Sequence, residues 1–280
     1  MTLDIPLFGN EVRLFLLGKP TDWRLVDPND KEKKFRQEVG KEIAKLLMDW
    51  GVGTVLAPTP SFNAEVCSFK DLKDITEVRQ KNGPLVRFHR GFSADGIVVE
   101  KGQADFLPSG DCPMLIVYDP TVPKLVCAHA GRECLYDLGR YGRDEPRQYA
   151  SIVDAVIAQF QKKNRPMLKA HVTLGIAGRN FSHPIKDPKY GERNRHMLKQ
   201  LGLYEEALDS PSDEGRLSLY KVIYGQLRAH GVDKDRITLD NADTYSDSQQ
   251  MGFAWWSHRR FKEKNESVDG RNGVLVVHHG

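Results

Sequence analysis

One stretch, SGDCPMLIVYDPTVPKLVCAHAG from Ser109 to Gly131, carries the two side chains best suited to thiol catalysis or soft-metal binding. Cys112 opens it and His129 closes it. An imidazole beside a thiol favours the thiolate, and both groups are good zinc or copper ligands. Two apolar runs, Met114–Tyr118 and Lys124–Ala128, flank the Pro-bracketed turn Asp119-Pro120-Thr121-Val122-Pro123. Pairing them antiparallel with residue numbers summing to about 241 sets Ile116 against Leu125, Met114 against Cys127 and Cys112 against His129, and opposed residues share a sheet face. A slip of one residue would send each side chain to the other face. Gly110 and Gly131 let backbone or ligand come close. Asp111, next to the thiol, either orients the imidazole or caps the strand. Cys127 reads as a small apolar core residue. His171, His183, His196 and His230 show no partner, and the terminal His278-His279 pair reads as incidental.

The elements that must position these residues follow from periodicity. Val12–Leu17 reads as a strand. Phe35, Val39, Ile43, Leu46, Leu47 and Trp50 recur at helical spacing, stopped by Gly51 and Gly53. A short strand, Thr54–Ala57, follows, then a helix over Lys70–Arg79. Strands are expected at Leu85–Phe88, Gly96–Glu100 and in the two runs of the hairpin. Ile152, Val153, Val156, Ile157 and Phe160 line one face of a helix over Gln148–Gln161. MLKAHVTLGIAG is a strand ending in a Gly-rich turn. The polar stretch 180–195 is loop-like. Helices near Arg195–Leu201 and Leu217–Arg228 precede strands at Arg236–Leu239 and Gly273–His278. Strands and helices neither alternate regularly nor segregate, so a single α+β domain over 1–280 is the economical expectation.

Composition narrows the function classes. The chain has 280 residues, 40% of them hydrophobic, and a formal charge of only +3. That balance argues against a dedicated nucleic-acid binder. No run approaches 18 apolar residues, which argues against a membrane span. The start lacks a secretory signal pattern. Four cysteines without CxxC spacing read as reduced thiols in a cytoplasmic protein.

ADGIVV, GDCPMLIVYDP and AHAG, in that order, resemble the YfiH-like laccase-domain family, also called the multicopper polyphenol oxidase or purine nucleoside phosphorylase family. VTLGIAG stands where that family has its LGPAIG turn. GRLSLYKVIYGQLRAHGVDKDRI resembles its helix and GV turn. DTYSD stands at its CTY position, while FAWWSHRR and GRNGVLVV resemble its FFSxRR and GR segments. The likeness covers about residues 78–280, with 1–77 a divergent N-terminal portion of the same domain. It implies mixed β-sheets sandwiched between helices, and a metal site of His, Cys and His in which Cys112 and His129 take the Cys and the second His.

The departures are specific. The family's RQVHG motif is nearest to RQKNG, Arg79 to Gly83, which puts Asn82 in the histidine's place. The residue after AHAG that is usually arginine is Glu133, with Arg132 one position early, and the CTY cysteine is Asp243. His89 or Asp111 is then needed to complete a three-ligand zinc site; copper fits less well, because HxH and HCH clusters are missing. The resemblance implies phosphorolysis of purine nucleosides, with adenosine deamination as a related activity and a nucleoside plus phosphate as partners. Ser257, His258, Arg259 and Arg260, with Arg132, are the expected anion seat, and Phe253, Trp255 and Trp256 are either a stacking surface or core. Two alternatives stay open. One is a metal-free Cys-His hydrolase or deamidase, since the fold resembles that of deamidating toxins. The other is a binding module whose catalytic site has decayed.

Overall fold

The computed structural model describes residues 2–79, 83–137, 147–181, 184–202, 207–208, 215–240, 242–246 and 254–279. In chain order the elements are β1 (Thr2–Leu7), β2 (Val12–Leu17), α1 (Gln37–Leu47), β3 (Thr54–Leu56), β4 (Val66–Cys67), β5 (Asp74–Arg79), β6 (Leu85–Arg90), β7 (Gly96–Val99) and β8 (Gln103–Ser109). They continue with β9 (Met114–Asp119), β10 (Lys124–His129), α2 (Ile152–Ile157), β11 (Lys169–Thr173), α3 (Gly191–Leu201), α4 (Leu219–Ala229), β12 (Ile237–Leu239), α5 (His258–Lys264) and β13 (Asn272–His278). The strands form two mixed sheets, ordered β1-β2-β13-β8-β3-β6-β5 and β12-β11-β9-β10-β7-β4.

Alternation along the strands explains the layering. In β9, Met114, Ile116 and Tyr118 face the other sheet and meet Leu14, Leu16, Leu107, Val274 and Val276. Leu115 and Val117 point the opposite way, onto α2 and α4. Covered on both faces, β9 is buried throughout and reads as an unbroken apolar run. The far face of the seven-stranded sheet is covered by α1, whose Val39, Ile43 and Leu47 recur every four residues against Val55, Phe88 and Phe106. Each such fully buried aliphatic contributes about 1.5–3 kcal/mol. Gly51, at φ 63°, ends the helical segment in the left-handed conformation that glycine tolerates. The order is helix, sheet, sheet, helix: an α+β fold with its sheets between helices, as expected.

Several expectations change. The β9–β10 hairpin pairs with residue numbers two higher in sum than anticipated, so Leu125 faces Tyr118, Cys127 faces Ile116 and His129 faces Met114. A shift of two preserves every face, because side chains alternate with period two. Lys70–Arg79 is not a helix. A short 3-10 turn, Phe69–Asp71, leads into the edge strand β5, where Ile75, Thr76 and Val78 are β-branched and pair with β6. The helix over Gln148–Gln161 shrinks to α2, since the Ser151 hydroxyl accepts from Asp154 N at 3.1 Å and caps it late. Part of the stretch 180–195 belongs to α3. Among the described residues no helix is long and apolar enough to cross a membrane.

Candidate active site

Cys112 lies on the crossover between the sheets. β8 belongs to the seven-stranded sheet and β9 to the six-stranded one, so 110–113 must cross the gap. The crossing is pinned by backbone bonds from Ala130 N to Pro113 O (2.8 Å) and Ile176 N to Asp111 O (2.9 Å), while the Ser109 hydroxyl donates to Cys112 O (2.6 Å). His129 ends β10, and its N–H donates to Asp95 O at 2.7 Å. The thiol and the imidazole lie side by side over Gly131, close enough for the charge of one to act on the other. Gly131 makes this possible: a Cβ there would stand 2.9 Å from Cys112 Sγ, 2.9 Å from His129 Cε1 and 3.1 Å from His129 Nε2. The pair therefore forms without the direct strand opposition that the sequence suggests. The crossover carries the sulfur back over the end of β10.

The other imidazole nitrogen, Nδ1, faces Asp95 Oδ1 at 3.4 Å and Cys134 Sγ at 3.7 Å. Asp95 is fully buried, yet richly supplied with donors. Its carboxylate accepts from the N–H groups of Phe62 (2.9 Å), Asn63 (2.8 Å) and Ala64 (2.9 Å) and from the Ser61 hydroxyl (3.0 Å), and the Cys134 thiol adds a contact at 3.4 Å. Burial alone would raise its pKa, but the bonds from His129 and Phe62, the imidazolium charge and the Cys134 thiol bring it down to about 2. For His129, burial opposes the charged form. The charge of Cys112 and hydrogen bonds to Asp95, Cys112 and Cys134 outweigh it and move the imidazole well above its usual value. Burial holds the Cys134 thiol up at about 11, so it remains protonated. Asp95, His129 and Cys112 thus form a row, carboxylate to imidazole to thiol, with only the thiol reaching the surface.

The thiol opens into a cleft of about 210 Å³ lined by Phe62, Asp111, Cys112, Arg132, Glu133, Ile176, Phe181 and Leu219. Phe62 covers the imidazole edge-on, with centroids 5.2 Å apart. Arg132 stacks on Tyr190 at 4.4 Å and pairs with Glu133, leaving its buried Nη1 without a hydrogen-bond partner. Glu133 also accepts from Tyr136 OH at 3.3 Å.

Asp111 stays at the cleft wall, where it accepts from the Thr244 hydroxyl (2.7 Å) and from Arg259 N (2.8 Å) rather than orienting the imidazole; the remaining candidates go elsewhere. Arg260 is buried and spends its guanidinium on the carbonyls of Thr244, Tyr245 and Trp255 and on Glu266. Ser257 caps α5 by accepting from Arg260 N at 3.2 Å, and His258 pairs with Asp269 at 3.1 Å. Arg259 pairs with Glu263, while its Nε and Nη1 are buried without hydrogen-bond partners. His89 lies on β6 of the other sheet, its ring 4.7 Å from that of Phe69. Asn82, His183 and Phe253 lie outside the described residues. Trp255 is core and Trp256 donates to Thr21 O; neither lines the cleft. Asp243 ties the LGIAG turn, accepting from Ala177 N and from the side chains of Arg179 and Asn180. Sequence reasoning missed Asp95, Cys134 and Phe62. Asp95 was within reach, as the acidic residue of ADGIVV; nothing local singles out the other two.

The family described as multi-copper polyphenol oxidoreductase laccase matches residues 67–279. No curated protein matches the chain. Among solved structures, the hypothetical protein YfiH of Bacillus licheniformis superposes with TM-score 0.66 at 16% identity, covering 99% of this chain and 96% of that one. The Neisseria meningitidis protein NMB0706 gives TM-score 0.65 at 14% identity, with 100% and 99% covered. YlmD of Geobacillus stearothermophilus gives TM-score 0.65 at 15% identity, with 96% and 92% covered. These likenesses establish the fold.

The copper in the family's description can be tested against the residues present. Multicopper chemistry needs clustered imidazoles, and the whole chain has nine histidines. Among the described residues the group that could hold a metal ion is Asp95, His129 and Cys134, with a single imidazole. These residues do not fit a multicopper centre. Their separations of 3.4, 3.7 and 3.4 Å suit the donor set of one ion, but all three are buried and none lines the cleft, so an open coordination position for catalysis is missing. By sequence and by fold, the chain belongs to the multi-copper polyphenol oxidoreductase laccase family, with a YfiH-like architecture built around one thiol–imidazole–carboxylate row.

Proposed function

We propose that this chain is an enzyme acting on purine nucleosides with phosphate as co-substrate, at the Cys112–His129–Asp95 row. The observation that carries the reading is the cleft itself. One cleft is lined by the Cys112 thiol, by Arg132, whose buried Nη1 lacks a hydrogen-bond partner, and by the apolar side chains of Phe62 and Phe181. Phosphorolysis needs a cation to seat phosphate and an aromatic face for the base. A phosphate oxygen bonds to the anomeric carbon, the N-glycosidic bond breaks, and its electron pair leaves with the base. The base is neutralised by a proton held on the Cys112–His129 pair, which solvent then restores. Asp95 keeps the imidazole oriented and favours its charged form. Incubation with inosine or adenosine, followed by chromatography, should show free base only when phosphate is present. Cys112→Ala and Arg132→Met should each abolish release. Wild-type protein that frees no base, or a Cys112→Ala variant as active as wild type, removes the reading.

A second reading is supported by the linear order of the three groups, which is that of a nucleophilic thiol with its base and orienting acid. In it, Cys112 attacks a carboxamide, ammonia leaves with a proton from His129, and water then cleaves the resulting thioester to a carboxylate and restores the thiol. Ammonia release from glutaminyl peptides, blocked by iodoacetamide at Cys112, separates this activity from phosphate-dependent base release.

A further inference from the structure

A second cavity, larger than the Cys112 cleft at about 620 Å³ and sharing no lining residue with it, lies at the seven-stranded sheet. Most of that sheet is antiparallel, but β3 runs parallel to both of its neighbours, β6 and β8. The chain leaves β3 toward β6 on one side and later returns as β8 on the other. Strand order therefore reverses at β3, the arrangement that in open α/β sheets leaves a ligand-binding crevice beyond the carboxyl ends of the parallel strands. The cavity sits at those ends: Ala57, Pro58, Thr59 and Pro60 follow β3, Gly91 and Phe92 follow β6, and Phe106 and Pro108 lie in the last half of β8. Its floor is hydrogen-bonded, from Ala57 N to His89 O and from Thr59 N to Phe92 O, both 2.9 Å. Its opposite wall is the loop from Arg24 to Lys33, pinned by Arg36 Nη1 donating to Asp22 O (2.9 Å) and Arg24 O (3.2 Å).

The lining has an apolar side, Leu25, Val26, Phe92, Phe106 and four prolines, and a charged side of Arg24, Glu32, Lys33, Asp74 and Arg90. Arg24 is paired with Asp22 at 3.1 Å and Glu32 with Lys34 at 2.5 Å. Among the described residues, Arg90 and Lys33 have no ion pair within 4 Å. Arg90 lies over Phe35 at 5.0 Å and donates from Nη2 to Thr76 Oγ1 at 3.0 Å, yet its Nε is buried without a hydrogen-bond partner. Burial already disfavours its charge, and Asp74 restores that charge only in part. A ligand bearing one negative group would supply the missing acceptor. A volume of this size is typical of small-molecule sites.

We propose that this cavity is a second binding site, separate from the Cys112 cleft, for a small organic anion with a flat apolar body and one carboxylate, sulfonate or phosphate group. The body packs on Phe92, Phe106 and the prolines, and the anion is held by Arg90 and Lys33.

The full-length protein is titrated with 8-anilinonaphthalene-1-sulfonate, following dye fluorescence, with near-UV circular dichroism to confirm that each variant is folded. One saturable site is expected. Arg90→Met should weaken it at least about tenfold, and the exposed Lys33→Met, which leaves packing intact, about threefold. Indole-3-acetate should displace the dye, and neutral indole-3-acetamide should not. Cys112→Ala should leave the titration unchanged, and Arg90→Met should leave base release unchanged, so the two sites fail or stand independently. Unsaturable binding, folded Arg90→Met and Lys33→Met variants that bind as wild type, or equal displacement by the amide would each overturn the proposal.

Discussion

Two carboxylates ten residues apart, Asp95 at the rim of the six-stranded sheet and Asp105 inside the seven-stranded one, are equally buried and electrically opposite. Asp95 is surrounded by the N–H groups of 62–64, the Ser61 hydroxyl, an imidazole and a thiol, and is held at about 2. Asp105 lies in the gap between the sheets, and neither of its oxygens has a hydrogen-bond partner of normal geometry. Burial drives its pKa well above the carboxylate range, and the neighbouring Phe106 N–H offsets that only slightly. It acts on two buried thiols: burial pushes up the pKa values of Cys67 and Cys127, and the charge of Asp71 and then of Asp105 adds to the rise at Cys67, that of Asp105 at Cys127. Depth therefore does not decide whether an acid inside this protein is charged. The supply of donors does, and the fold concentrates donors where the two sheets are joined by loops rather than where they pack face to face.

Removing either carboxylate tests that contrast. Asp95→Ala strands several buried donors and an imidazolium, and is expected to cost about 3–5 kcal/mol in urea unfolding. Base release should fall by about a thousandfold as the imidazole loses its orientation. Asp105→Leu should do the reverse, raising stability by about 1–3 kcal/mol, because an unpartnered acid is exchanged for an apolar group in a dry core. An unchanged or lower urea midpoint for Asp105→Leu would mean that Asp105 has a partner after all.

Stability against pH sharpens the same contrast. Asp95 titrates lower folded than unfolded, so its contribution is present above about pH 4 and disappears as the pH falls toward 2. A shift from 3.8 to about 2 corresponds to about 2 kcal/mol. Asp105 titrates higher folded than unfolded, so the folded state loses stability relative to the unfolded chain as the pH rises above about 4. Urea midpoints from pH 2 to 8 should show an acid limb that Asp95→Asn removes and a downward drift toward neutral pH that Asp105→Leu removes. The smallest effect is expected for Gly131→Ala. Gly131 sits at φ −66°, which alanine adopts freely, so the change acts only through the new methyl at 2.9 Å from the Cys112 sulfur. A cost of about 1 kcal/mol is expected, with roughly tenfold slower base release.

Much of the candidate site is legible in the sequence because its two reactive residues end a hairpin whose runs and turn are local. The register was expected two residues away from where it lies, yet the faces came out right, since only the parity of the offset matters. Arg260 shows the limit of local reading. It looks like a site residue, yet its guanidinium is spent on the carbonyls of Thr244, Tyr245 and Trp255 and on Glu266. The helix expected over Lys70–Arg79 has a helical-looking charge pattern, and pairing with β6 overrides it.

The sequence by itself determined the two-faced burial of the strands, the amphipathic stripe of α1, and the presence of a thiol and an imidazole at the ends of one ribbon. These depend on side-chain periodicity and on residues close in the chain. Only the tertiary structure decided that a crossover between sheets brings Cys112 back over His129, that the loop 61–64 directs its N–H groups at Asp95, and that a cavity opens beside β3. Each of those joins segments whose separation along the chain carries no periodic signal, and the cost of closing such loops is met only once both sheets have packed.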